Sequence, residues 1–183
     1  MAGTALAQGL KDLFPKASDI TVKWPNDVLV NWKKVGGILC ESFEAHGYPA
    51  VILGVGVNVN TPASELSAFQ NNPFPGTSIK EEMKTEFKID EILEIFLKKL
   101  TSLYRAYEKE GFSSVQYYWE KNCRMIGKKI ELRAAGWKAG SSKDIGVTVG
   151  TMLGIDPDGA LVLSNVKGER HQYVTGEISC FWP

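Results

Sequence analysis

Three strand-length runs within two dozen residues constrain this chain more than any other stretch. Residues 20–24, 28–32 and 38–43 are rich in Val, Ile, Leu, Trp and Phe. The trio Pro25-Asn26-Asp27 divides the first two, and Asn31-Trp32-Lys33-Lys34 reads as a hairpin end. Pro, Asn and Asp at such points predict short strands joined by tight turns. The stretch from Lys23 to Ile38 also places a Lys, an amide, a carboxylate, a Pro and the pair Gly36-Gly37 within sixteen residues. That mixture suits a site that grips a negatively charged group better than it suits a plain core.

The chain has 183 residues, 44% of them hydrophobic, enough for one ordinary domain or a domain with a small appendage. Lys+Arg and Asp+Glu both number 21, so bulk charge does not advertise nucleic acid or an anionic membrane. The four arginines, Arg105, Arg124, Arg133 and Arg170, are scattered. No apolar run approaches the roughly 20 residues that span a bilayer, and the first ten residues lack the pattern of a secretory signal. Cys40, Cys123 and Cys180 read as free thiols of a cytosolic protein. With His46 and His171 the only histidines, no zinc-ligand spacing occurs.

Further along, residues 2–13 predict a helix with Leu6, Leu10 and Leu13 on one face, stopped by Pro15. This helix starts almost at Met1 with no polar lead-in, a pattern expected of a chain cut inside a larger domain. Residues 50–59, apolar at nearly every position, predict a central strand covered on both faces. Residues 61–79 read as a loop. Residues 90–110 predict a long helix, capped by Asp90 and ended by Gly111, and 114–123 a second helix with Ser113 and Gln116 as a capping box. Tyr104, Tyr107, Tyr117, Tyr118 and Trp119 read as helix-packing core. From Gly127 the pattern switches to strands at 129–133, 146–155, 160–164, 170–174 and 177–181, which predict a small SH3-like barrel closed by Cys180-Phe181-Trp182-Pro183.

Several residues could carry chemistry. Lys23, flanked by Val22 and Trp24, needs a partner: an ion pair with Asp27 or a glutamate, or a bound anion. Asn26 and Asp27 also have an ordinary explanation as turn formers. Lys34 could reach a phosphate or guard a solvated strand edge. Gly36-Gly37 entering a strand marks a bulge or a close backbone approach. Gly54-Val55-Gly56 is not followed by a helix, so a dinucleotide fingerprint fails. Asn58, on an apolar strand, must satisfy its amide on a ligand or in a turn clamp. Gly76-Thr77-Ser78-Ile79 reads equally well as a cap after the preceding loop.

The pentapeptide Lys23-Trp24-Pro25-Asn26-Asp27, with the Gly37-Ile38 step after it, resembles the signature of biotin–protein ligases. Gly54-x-Gly56-x-Asn58-Val59 is similar to a second pattern of that family, and Thr77-Ser78-Ile79 to the segment that follows it. The resemblance runs along the whole chain. It implies an α+β fold: residues 1–125 as part of a class II aminoacyl-tRNA synthetase-like catalytic domain, a mixed sheet with flanking helices, and 126–183 as an SH3-like barrel. It also implies ATP-dependent attachment of biotin, through biotinyl-5′-AMP, to a lysine of a biotin carboxyl carrier domain such as that of acetyl-CoA carboxylase. Biotin and ATP are then the ligands, Mg²⁺ escorts the phosphates, and the location is cytoplasmic. Lys23 is implied to contact the biotin carboxylate and the α-phosphate, where a fixed cation offsets the repulsion of two anions. Asn26 is implied beside the adenylate, Gly37 and Ile38 along the biotin pocket, and Gly56 and Asn58 on the ligand side. Asp27 and Lys34 are implied supports, and no residue is implied as a metal ligand.

The chain departs from the family pattern in one respect. The Gly-Arg-Gly-Arg-x-x-Arg loop that orders over the adenylate, and a Ser-Thr biotin contact, are both expected upstream and neither occurs. No Arg precedes Arg105. The expectation is a fragment, a wrongly started gene product, or a chain completed by self-association or by a second polypeptide. Two other functions compete: a non-catalytic module that holds biotin or a carrier protein, and a lipoyl or octanoyl transferase on the same catalytic fold. Lys-Trp-Pro-Asn-Asp and the terminal barrel favour the biotin branch.

Overall fold

A computed structural model describes residues 1–15, 19–66, 73–133 and 146–182. Helix α1 (Ala2–Leu13) comes first, then strands β1 (Ile20–Lys23), β2 (Asp27–Val30), β3 (Lys33–Ala45) and β4 (Tyr48–Val57). Helices α2 (Ile79–Met83), α3 (Ile89–Glu110) and α4 (Phe112–Asn122) follow, and then strands β5 (Lys129–Arg133), β6 (Val147–Ile155), β7 (Leu161–Ser164), β8 (Arg170–Tyr173) and β9 (Glu177–Trp182). The fold is α+β, with two sheets.

The first sheet has the order β1-β2-β3-β4, antiparallel throughout, and a lone parallel bridge joins Lys34 to Gly76. α1 lays Ala5, Leu6, Ala7 and Leu10 against it, all essentially sealed from water. At about 1.5–3 kcal/mol per buried Leu, this face holds the helix to the sheet. α3 packs on α1 where Gly9 meets Ile95. The second sheet has the order β8-β7-β6-β5-β9, again antiparallel. Its Ile130, Met152, Leu161, Leu163 and Ile178 join Leu6, Val28 and Trp119 in one continuous core.

Several expectations need correction. The run at 50–59 is not a central strand covered on both faces: among the described residues β4 pairs with β3 alone, and Tyr48 and Val51 are 75% and 65% exposed. Apolar composition reports what a strand would gain by burial, not whether a neighbour is present. β3 begins at Lys33 and runs through Ala45, longer than expected, because Gly36-Gly37 stay within the ladder. The 61–79 loop ends in α2, whose first free N–H groups find Ser78: its Oγ accepts from Glu81 N. α3 is capped at Lys88, and Asp90 sits in the first turn, where its charge suits the helix dipole. The Ser113–Gln116 capping box does not form. The helix starts two residues earlier, at Phe112, Ser113 Oγ donates to Glu110 O, and Gln116 Nε2 donates to Ile155 O at 2.6 Å, tying α4 to β6. Tyr104, Tyr107 and Tyr117 are exposed, whereas Trp119 is buried. The five terminal strands form one sheet with β8 and β9 outermost, and Phe181 stacks on Trp32 in the turn between β2 and β3.

Candidate functional site

The β1–β2 hairpin builds the centre of the site. Its register pairs Lys23 with Asp27 across the turn Trp24-Pro25-Asn26, and the Trp24–Pro25 peptide is cis. Both strands of the hairpin are buried at every position, and Lys23 with them is 2% exposed, where an ammonium without partners would be far too costly. It has three. Its Nζ donates to Asp27 Oδ2 at 3.0 Å, lies 3.5 Å from Glu177 Oε1, and stands 5.0 Å from the centre of the Phe74 ring. Asp27 is as buried as the lysine, but the Glu177 side chain is 72% exposed. Glu177 is therefore the partner that an incoming anion could displace without breaking the core pair.

Asp27 has a second cation. Lys34 Nζ lies 2.5 Å from Asp27 Oδ1, an ion-pair contact without hydrogen-bond alignment. One carboxylate thus stands between two lysines, one sealed and one half in solvent. Asn26 is fastened to β3 twice: its Nδ2 donates to Ile38 O at 2.7 Å, and Ile38 N donates to Asn26 O at 2.9 Å. Trp24 Nε1 donates to Gly159 O, so the turn of the second sheet holds the tryptophan in place.

Two clefts meet at this centre. One, of about 800 Å³, is mostly apolar and is lined by Lys23, Asn26, Asp27 and Ile38 together with Val22 and Trp119. The other, of about 630 Å³, has a floor of backbone: Lys34, Gly37, Gly56 and Asn58 line it with Leu66 and Phe74. The expected site residues therefore divide into two groups, and Asp27 joins them through its two ion pairs. Gly37 and Gly56 are opposite each other in the β3–β4 register. Gly36 beside them is needed for close approach: a Cβ there would sit 2.8 Å from Gly56 O. Asn58 forms the turn clamp and also lines this cleft. Its Nδ2 donates to Thr77 O, its N–H to Val35 O, and its carbonyl accepts from Ile79 N.

Sequence reasoning missed Glu177, Phe74, Gly159, and the stack of Phe181 on Trp32 (centroids 4.2 Å) and Phe74 (6.1 Å). Each meets the hairpin from far along the chain, with no local signal to mark it. Of the three cysteines, Cys40 is exposed in the apolar cleft, whereas burial pushes the Cys123 thiol up to about 12. Among the described residues no group of three His, Cys, Asp or Glu side chains could hold a metal ion, and no helix is long and apolar enough to cross a membrane.

Residues 3–58, which hold nearly all of α1, the four strands of the first sheet and every expected site residue, match the biotin/lipoate A/B protein ligase family. The chain is 31% identical over 180 residues to the bifunctional ligase/repressor BirA of Bacillus subtilis, covering 94% of this chain and 50% of that protein. It is 29% identical over 171 residues to the biotin–[acetyl-CoA-carboxylase] ligase of Paracoccus denitrificans, covering 93% and 67%. The chain thus spans about half the length of the Bacillus relative. Its fold is that of the Aquifex aeolicus biotin protein ligase, with TM-score 0.73 at 21% identity over 99% of this chain and 72% of that one. The same enzyme in complex with biotin and ATP superposes with TM-score 0.73 at 20% identity, covering 97% and 68%. Residues 3–58 thus match the biotin/lipoate A/B protein ligase family, and along most of its length the chain is similar to biotin ligases.

Proposed function

We propose that this chain carries the ligand-binding half of a biotin–protein ligase, which joins biotin to a lysine of a biotin carboxyl carrier domain through biotinyl-5′-AMP. The observation that carries this reading is Lys23: a sealed ammonium, clasped by Asp27, with an exposed second carboxylate and an apolar cleft beside it. The apolar cleft suits the fused rings and alkyl chain of biotin, with Ile38 and Trp119 as walls. The glycine-floored cleft suits a nucleotide, because backbone without Cβ lets phosphates approach and Lys34 supplies charge.

In the first step a biotin carboxylate oxygen attacks the α-phosphorus of ATP. The new O–P bond forms as the bond to the β-phosphate oxygen breaks, and pyrophosphate leaves. Both reactants are anionic, so the fixed Lys23 charge lowers the barrier, and alignment matters because a carboxylate is a weak nucleophile. In the second step a carrier lysine amine attacks the acyl carbon and AMP leaves. Asn26 serves by locking the Pro25 turn onto β3, and Asp27 by orienting both lysines. Mg²⁺ would be held by the triphosphate oxygens, where it would offset the phosphate charge. Residues 126–183 act as the barrel unit that supplies Glu177 and a seat for the carrier.

The exposed apolar strip of β3 and β4, with Leu39, Phe43, Tyr48 and Ile52, supports a further part of the reading. In this reading another polypeptide segment or a second copy covers the strip. The test is pyrophosphate release with biotin and ATP, run beside lipoate and octanoate, with and without carrier domain. Biotin-dependent release that Lys23→Ala reduces by about 10²–10³-fold supports the reading. Thermal protection by biotin without turnover would make the chain a binding module, and protection by lipoate alone would overturn the biotin assignment.

A further inference from the structure

The β2–β3 hairpin tip carries two consecutive lysines that point in opposite directions. Lys34 reaches Asp27 at the glycine-floored cleft, and Lys33 reaches Glu82 Oε1 at 3.0 Å. Alternation along a strand sends neighbours to opposite sides, so a slip of one residue would exchange their roles. The local chain does not fix that register unaided. Asn31 and Trp32 both take left-handed backbone angles, φ 49° and 63°, and the pairing with β2 shifts between Val28 and Leu29. A tryptophan in that region is disfavoured and needs external contacts to persist.

Glu82 of α2 supplies those contacts. Its side chain is almost wholly buried and gathers three donors: Asn31 Nδ2 at 2.7 Å, Lys33 Nζ at 3.0 Å and Thr77 Oγ1 at 2.7 Å. Burial alone would raise its pKa, but the hydrogen bonds from Asn31, Thr77 and Lys33 outweigh that and hold the carboxyl below its ordinary value. The same carboxylate anchors the other wall of the cleft. Lys34 N donates to Pro75 O and Thr77 N donates to Lys34 O, both at 2.8 Å, so the segment bearing Phe74 and Gly76 is tied to the tip that Glu82 holds.

We propose that Glu82 is a positioning residue for nucleotide binding: it fixes the hairpin register so that Lys34, not Lys33, stands at the glycine-floored cleft. The inference rests on the reading of that cleft as the nucleotide side. Both lysines are ion-paired and about half exposed, but only Lys34 lines the glycine-floored cleft, and the hydrogen bonds between Lys34 and the 75–77 segment tie its two walls together.

The test compares wild type, E82A, E82Q, K34A and E82A/K34A by amide hydrogen exchange and by ATP and biotin titration. In E82A the amides of Lys34 and Thr77 exchange at least about tenfold faster, while that of Asn58, bonded to Val35, does not change. ATP affinity falls about tenfold in E82A and in K34A. The double variant is no weaker than the worse single one, because both act through one side chain. Biotin affinity stays within about twofold, and E82Q, which keeps an acceptor oxygen, recovers part of the ATP loss. E82Q also keeps the comparison decisive if E82A unfolds. Unchanged exchange at Lys34 and Thr77, additive ATP losses, or equal losses for ATP and biotin overturn the proposal. If wild type binds no ATP, the nucleotide reading fails, and the exchange rates alone judge the register lock.

Discussion

Lys23 and Asp27 face each other across a four-residue step, Nζ to Oδ2 3.0 Å, and both are nearly closed off from water. A pair so placed is uneven in its energetics. Removing one partner leaves a buried charge with nothing to meet it, which costs about 3–5 kcal/mol. Asp27→Ala should therefore lower the denaturant midpoint sharply. Glu177→Ala, at an exposed carboxylate, should cost less than about 1 kcal/mol. Equal losses from equilibrium unfolding of the two variants would show that Glu177 is as structural as Asp27.

Gly36 has no room for a side chain, because a Cβ would lie 2.8 Å from Gly56 O and 3.2 Å from Leu6 Cδ2. Gly36→Ala should destabilise the chain by about 1–3 kcal/mol through forced separation of β3 and β4. Gly56→Ala meets nothing closer than 3.9 Å and should leave the melting temperature almost unchanged while filling the cleft floor. A weaker nucleotide affinity at unchanged stability is the expected result for that variant.

Trp32 and Phe181 stack at 4.2 Å and 27°. A double-mutant cycle with Trp32→Leu and Phe181→Leu should give a coupling of about 0.5–1.5 kcal/mol. A coupling near zero would mean that Phe181 contributes only buried area.

Cys123 gives a pH-dependent prediction. Burial raises its folded pKa to about 12 from an ordinary 9.0, so the folded chain keeps the thiol protonated where the unfolded chain would ionise it. The stabilisation is complete below pH 9 and is lost as pH rises towards about 12. Cys123→Ala should flatten that alkaline limb of the stability curve. At neutral pH a thiol reagent should label exposed Cys40 quickly and Cys123 only on unfolding.

The sequence made some of this legible for clear physical reasons. Lys23, Asn26, Asp27, Gly37 and Ile38 lie close in the chain, and turn chemistry with strand alternation brings them together locally. The second-sheet strands were readable because Gly and Asp-Pro-Asp-Gly stretches punctuate them. Glu177 was not readable: it reaches Lys23 across more than 150 residues, and an exposed acidic residue looks like any other surface charge. The environment of β4 was hidden too. Its run of Val, Ile and Leu reads the same whether a neighbour covers it or not, and here both faces are largely open. Asn58 offered both a ligand contact and a clamp from sequence, and only the position of Thr77 O, 19 residues away, showed the clamp.

The contact between Lys23 and Glu177 also sets an order of assembly. A ribosome delivers the β1–β2 hairpin early, with its lysine matched to Asp27 and Lys34 competing for the same carboxylate. The second carboxylate, and the phenylalanine that wedges against Trp32 and Phe74, emerge only with β9, after residue 177. Without β9, Lys23 and Lys34 would stand as two ammonium groups against the single carboxylate of Asp27. Strand β9 therefore brings the second carboxylate to a hairpin more than 150 residues away in sequence.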